Sequence, residues 1–133
     1  MKYQHQMPVD VREMCCAHVR GYERRRKELQ ARRGSAYQTV RPEQGLDLLE
    51  GIRNSRDWES VMAVESAMLQ ALQGIKSREV REHLRTGLLR NVCNRKKYPY
   101  DRLYLPTIGK KEFYRRKQDL LLALAEELGY IEL

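Results

Sequence analysis

Residues 110–129 read KKEFYRRKQDLLLALAEELG, and the way this segment divides decides the fold. Its first half carries five cations (Lys110, Lys111, Arg115, Arg116, Lys117) and two aromatics, and its second half is leucine, alanine and acid. Phe113, Leu120, Leu124 and Leu128 recur on one helical face, with Leu121 and Ala125 alongside. Lys110, Lys111, Tyr114, Arg115 and Gln118 fall on the face turned away. The spacing predicts a helix from Lys110 to Gly129, anchored through one face and charged at its start. Gly129 suits the residue just past a helix end, and Tyr130 and Ile131 can fold back as its apolar clasp. Gly109 or Thr107 is expected to cap the start, with Glu112 closing a capping box.

The same periodicity extends upstream. Ser77 reads as a cap for a helix in which Val80, Leu84, Leu88 and Val92 recur every four residues. That helix stops at CNRKKYP, where Asn94, a basic run and Pro99 intervene. Tyr100–Leu105 is expected to form a short helix ended by Pro106. Further back, Trp58, Val61, Met62, Glu65, Met68, Leu69, Leu72 and Ile75 predict a helix from about Asp57. Another is expected from Asp10 to about Ala31, with Asp10 as its cap and Glu13 completing the box. Its stripe is Val11, Cys15, His18, Tyr22 and Leu29, opposite the charged run YERRRKELQARR (22–33). Residues 34–56 hold glycines, a proline and serines, and read as a flexible loop with one helical turn at most. The expected architecture is all-α: a long N-terminal helical hairpin (1–76) followed by a three-helix, helix-turn-helix-like unit (77–133).

Charge is concentrated in the second part. From Arg90 to Lys117 ten cations face only Asp101 and Glu112, so this stretch carries +8, the net charge of the whole 133-residue chain. A basic patch focused on one segment is the electrostatic footprint expected of a nucleic-acid contact. A short helix, a connection through LPTIG and a longer amphipathic helix outline a helix-turn-helix, whose second helix enters the major groove by its first turns. Lys110, Lys111, Tyr114, Arg115 and Gln118 are the candidates for groove entry, since Arg can pair with guanine in bidentate fashion. Arg95, Lys96, Lys97 and Arg102 are placed to bond the phosphate backbone.

Other chemistries lack their residues. The three histidines (His5, His18, His83) stand on separate elements with no partner spacing for acid–base or nucleophilic work. There is no phosphate-binding loop and no dinucleotide fingerprint. Cys15 and Cys16 are adjacent and Cys93 is remote, so no zinc-ligand spacing exists and ordinary thiols are expected. No enzymatic activity, cofactor or metal is predicted. No apolar run approaches the ~20 residues of a membrane span, and the first residues lack the apolar core of a signal peptide, so the expected location is the cytoplasm.

The stretch YPYDRLYLPTIGKKEFYRRKQDLLLALAEELG (98–129) resembles the C-terminal motif of RinA/ArpU-type phage transcriptional regulators, a helix-turn-helix similar to sigma-factor region 4. Leu105, Ile108, Phe113, Tyr114, Arg115, Arg116, Lys117, Leu120, Leu124, Ala125, Leu128 and Gly129 carry the resemblance. It covers about the last 30 residues in sequence and more of the chain in outline. It implies a small helical regulator of phage or prophage origin acting on double-stranded DNA. One small domain makes few contacts, so RNA polymerase or a second copy of the chain is expected as a partner. Two other readings remain open at this point: a DNA-packaging component like a terminase small subunit, and a helical protein-interaction adaptor without specific DNA binding.

Overall fold

The computed structural model describes residues 7–38 and 41–132. It is all-helical, with no strand among the described residues. The elements are α1 (Val9–Tyr37), α2 (Pro42–Arg53), α3 (Arg56–Ala71), α4 (Arg78–Cys93) and α5 (Lys110–Glu127), with a single 3₁₀ turn at Tyr100–Arg102. His5 lies outside the described residues.

Helix α1 is the strut against which every other helix packs. Its 29 residues span about 43 Å at 1.5 Å per residue. It begins earlier than expected, with Pro8 at the cap position, and Asp10 lies in its first turn, where a negative charge suits the helix dipole. It also continues past Ala31 to Tyr37. Val11, Cys15, Val19, Tyr22 and Leu29 are buried along it, while His18 is half-buried.

The structure corrects the loop expected over 34–56. Apart from residues 39 and 40, which lie outside the described residues, nearly all of it is helical. Pro42 occupies the first turn of α2, where its missing N–H costs nothing. Gly45, Leu49 and Ile52 then share the inward stripe, Leu49 half-buried and the others buried. α2 folds back along the end of α1 across a groove lined by Ala31, Ser35, Leu48 and Ile52. The glycines and the proline look like breakers in sequence; here Pro42 starts a helix and Gly45 is buried within it. A helix thus stands between the two expected to form a hairpin, and α3 packs on both α1 and α5.

Helix α3 starts under a cap. The Ser55 hydroxyl accepts from the Trp58 N–H at 3.2 Å and donates to the Ile52 carbonyl at 2.7 Å, tying α2 to α3. Its buried face is built from Ala63, Ala67 and Ala71 with Val64 and Met68, while Met62 and Leu69 point outward. Three alanines at steps of four admit a close neighbour. That neighbour is α5, which runs antiparallel to α3: Arg116 reaches Ala71 and Gln73, and Glu127 reaches Ser66.

Ser77 caps α4 as predicted, accepting from the Val80 N–H at 3.3 Å. Leu84, Leu88 and Val92 are buried in the expected row. Every residue from Leu120 to Ala125 is buried, so this half of α5 is a central helix apolar all round. Gly129 has φ +76, with the Tyr130 N–H bonded to the Ala125 carbonyl at 2.8 Å. This is the left-handed cap that the sequence predicts. Ile131 packs on the core, and the Tyr130 hydroxyl meets His18 at 3.0 Å. One core cluster runs from Val11 to Ala125 and draws on residues on both sides of position 76.

Candidate nucleic-acid interface

The expected short helix over Tyr100–Leu105 is a single 3₁₀ turn, set between Pro99 and Pro106. The segment from α4 to α5 is therefore a strap, residues 94–109, rather than the first helix of a helix-turn-helix. Its conformation is held by side chains. The Asn94 carboxamide oxygen accepts from the Lys97 N–H at 3.2 Å, and the Asn91 amide donates to the Tyr98 carbonyl at 2.9 Å. The charged ends of Arg90 and Lys97 lie 5.6 and 5.4 Å from the Tyr98 ring centroid. Further along, the Tyr100 hydroxyl donates to the Ile108 carbonyl and its ring packs 5.6 Å from that of Phe113. Leu103 and Leu105 lie against Gly87 of α4, where a Cβ would stand 3.5 and 3.4 Å from them. The strap is thereby tied to both α4 and the start of α5.

This places the candidate residues plainly. Arg95, Lys96 and Lys97 are exposed on the turn after α4, and Arg102 is exposed on the 3₁₀ turn. Lys110, Lys111 and Arg115 are exposed on the first turns of α5, while Tyr114 and Gln118 are half-buried at the edge of that face. Arg115 approaches Glu112 at 3.9 Å. Among the described residues, none of Arg95, Lys96, Lys97, Arg102, Lys110 and Lys111 forms an ion pair. Gly109 is the cap residue of α5 and offers no side-chain bond. Glu112 does not close a capping box; it pairs with Arg116 at 3.0 Å.

Two cations of the basic run are not on the surface at all. Arg116 is buried and donates to the Ala71 carbonyl at 2.8 Å and the Gln73 carbonyl at 2.9 Å. It satisfies the orphan carbonyls at the end of α3. Lys117 is only 6% exposed, lying on the inward stripe with Phe113 and Leu120. Burial, reinforced by Arg95 and Arg12, pushes its ammonium down to about 8. The charge of Arg12 on helix α1 thus bears on Lys117, although no sequence spacing connects it with residues 95–117.

Tyr104 is the other residue the sequence does not single out. It has φ +52 and is 84% exposed, an aromatic held in the left-handed region at the rim of the strap. Non-glycine residues adopt that conformation at a cost and concentrate at functional sites.

Elsewhere, Cys15 is buried, Cys16 half-buried and Cys93 exposed, all three as free thiols. The described residues contain no cluster of metal-ligating side chains, and no described helix is long and apolar enough to cross a membrane. No family model, curated protein or solved structure matches this chain.

Proposed function

We propose that this protein is a DNA-binding transcriptional regulator of phage or prophage origin. Its strap grips the phosphate backbone of a duplex, and the start of α5 enters the major groove. The observation that carries this reading is the row of six exposed cations from Arg95 to Lys111, without an ion-pair partner among the described residues. Exposed cations left without an ion-pair partner are available to replace the counterions condensed on DNA. Arg95, Lys96, Lys97 and Arg102 neutralise phosphates and set the register. Lys110, Lys111, Tyr114, Arg115 and Gln118 face the base edges, with Arg115 suited to guanine. The uncapped N–H groups at the start of α5 add a further phosphate contact. Transcriptional regulation is the role that the resemblance of residues 98–129 implies, with RNA polymerase or a second copy of the chain supplying the remaining specificity.

The test is a fluorescence titration of random and phage-derived duplexes at two salt concentrations. The wild type is compared with a Lys111→Ala/Arg115→Ala variant. The four phosphate contacts of Arg95, Lys96, Lys97 and Arg102 predict a log–log salt slope of roughly −4. Binding that is salt-dependent in the wild type and abolished in the variant supports the reading. Equal binding by both proteins, or by neither, removes α5 as the reading element.

A further inference from the structure

Tyr104 is the aromatic of the strap that nothing in the fold accounts for. The Tyr98 ring lies under Arg90 and Lys97, and the Tyr100 ring packs on Phe113 while its hydroxyl bonds a carbonyl. Tyr104 has no hydrogen bond, ring contact or ion pair among the described residues, and its side chain stands in solvent. Its backbone nonetheless holds φ +52, a conformation in which glycine or asparagine is the usual occupant. The residues on either side keep it there, because half-buried Leu103 and buried Leu105 both lie against Gly87 of α4. The ring is therefore presented from a turn pinned at both flanks.

Tyr104 also walls a cleft. With Tyr100, Asp101, Leu105 and Pro106 it lines about 410 Å³, a volume within the range of small-ligand sites. Two rings, a leucine and a proline make the cleft apolar, and Asp101 is its one charged group. Asp101 is exposed and has neither an ion pair nor a hydrogen bond among the described residues. Arg102, exposed as well, stands between Asp101 and the turn that carries Tyr104. A carboxylate repels a phosphate, so the cleft does not suit the sugar–phosphate backbone. It suits a flat, uncharged group that offers an N–H. A nucleobase is such a group, since its face stacks on an aromatic ring and its exocyclic amine donates to a carboxylate.

We propose that the Tyr104 cleft takes one unpaired base of a DNA strand. Tyr104 stacks on the base, the Asp101 carboxylate accepts from its exocyclic amine, and Arg102 holds an adjoining phosphate. Cytosine, adenine and guanine carry that amine, and thymine does not. A base inside an intact duplex has both faces covered by its neighbours, so the cleft reads an opened or single-stranded position. That the strand is DNA rests on the DNA-binding reading; the choice of an unpaired, amine-bearing base rests on the cleft itself.

The experiment measures anisotropy with labelled oligo-dC and oligo-dT of about 12 nucleotides and with a mixed-sequence duplex of the same length. Mildly alkaline buffer keeps oligo-dC single-stranded. The wild type is expected to prefer oligo-dC over oligo-dT by about fivefold. Tyr104→Gly, whose backbone favours this φ, should keep the thermal midpoint and lose roughly tenfold in oligo-dC affinity, with duplex affinity unchanged. Tyr104→Phe keeps the ring and should bind oligo-dC like the wild type. Asp101→Ala removes a repulsive charge and raises affinity for both strands, but brings their ratio toward one. No oligo-dC binding by the wild type, or equal binding by Tyr104→Gly, overturns the stacking site and leaves the α5 reading untouched. A preference for oligo-dC that survives Asp101→Ala overturns the role of the carboxylate. Oligo-dC binding lost in Tyr104→Gly, in a protein that does not bind the duplex, removes the α5 reading and keeps the cleft. A proline-rich peptide bound by the wild type and not by Tyr104→Gly, with no preference between the two strands, makes the cleft a peptide site and overturns the base.

Discussion

Two basic tracts, residues 22–33 on α1 and residues 95–111 on the strap and the start of α5, each hold six cations, yet they have different fates. On α1, Arg24 pairs with Glu28 at 3.4 Å, Arg26 with Glu23 at 2.9 Å and Arg25 with Asp57 at 3.7 Å. Half of the tract is thus engaged with its own helix or with α3. On the strap none of the six is paired among the described residues. The number of charges does not separate these tracts; the position of the acids does. Glu23 and Glu28 stand a single helical turn from the arginines they neutralise, whereas Asp101 is the lone acid across the strap. The same contrast recurs between adjacent residues of α5, where Arg115 is exposed and Arg116 is buried on the end of α3.

The largest effect should come from breaking that adjacent pair. Arg116→Ala leaves two carbonyls and Glu112 without their donor inside the α3–α5 junction. A destabilisation of about 3 kcal/mol is expected, read as a fall in the denaturant midpoint. Arg115→Ala should change stability by less than about 0.5 kcal/mol, because its approach to Glu112 is long and exposed. Equal destabilisation in the two variants would show that burial does not distinguish them.

The tracts themselves are compared by charge removal. Arg95→Ala/Lys96→Ala/Lys97→Ala should flatten the duplex salt slope by roughly 0.9 for each phosphate left without its cation. Arg24→Ala/Arg26→Ala/Lys27→Ala removes as much charge from α1 and should leave the slope nearly unchanged. If the α1 variant weakens binding as much as the strap variant, the basic charge is a diffuse field and ion pairing does not select the interface.

Much of this architecture is legible in the sequence, for reasons that can be named. α4 and α5 are bounded by a serine cap, a leucine every fourth residue and a glycine stop, all of them local signals. The all-α class follows from those periods. α2 escapes such a reading because its apolar stripe is short and its proline and glycines are ambiguous without the neighbour they face. The alanine face of α3 escapes it because small residues carry little hydropathy, so Met62 and Leu69 stand out instead. At the candidate site, the sequence isolates the basic segment but not which of its cations are buried. Arg116 and Lys117 sit on the inward stripe by spacing alone, and their charge masks that. The influence of Arg12 on Lys117 is beyond reach, since it depends on the packing of α1 against α5.

Local caps give a smaller test within the charged half of the molecule. Ser77→Ala removes the acceptor for the Val80 N–H at the start of α4, the helix whose end positions Arg95. A destabilisation of about 1 kcal/mol is expected, with duplex affinity at low temperature unchanged. A fall in affinity without a fall in stability would mean that the cap positions the strap and does not merely support the helix.

The smallest effect concerns what the paired tract does to its neighbours. His18 bonds Ser60 at 2.6 Å and the Tyr130 hydroxyl at 3.0 Å. Burial, then the charge of Arg25, lower its pKa below 6.5, with Glu59 opposing the shift. A histidine whose folded pKa is depressed binds fewer protons folded than unfolded, so stability is complete above about 6.5 and falls as the pH drops toward the folded value. His18→Gln should remove that slope from chemical unfolding measured between pH 7 and 5. Arg25→Gln should raise the His18 pKa in an NMR titration, whereas Lys110→Ala should leave it in place. An arginine of the α1 tract then acts on a half-buried ring, as expected of charges folded into the structure, while Lys110 does not. A His18 pKa that moves equally in both variants would mean that the two tracts share one long-range field, and their separation would not survive.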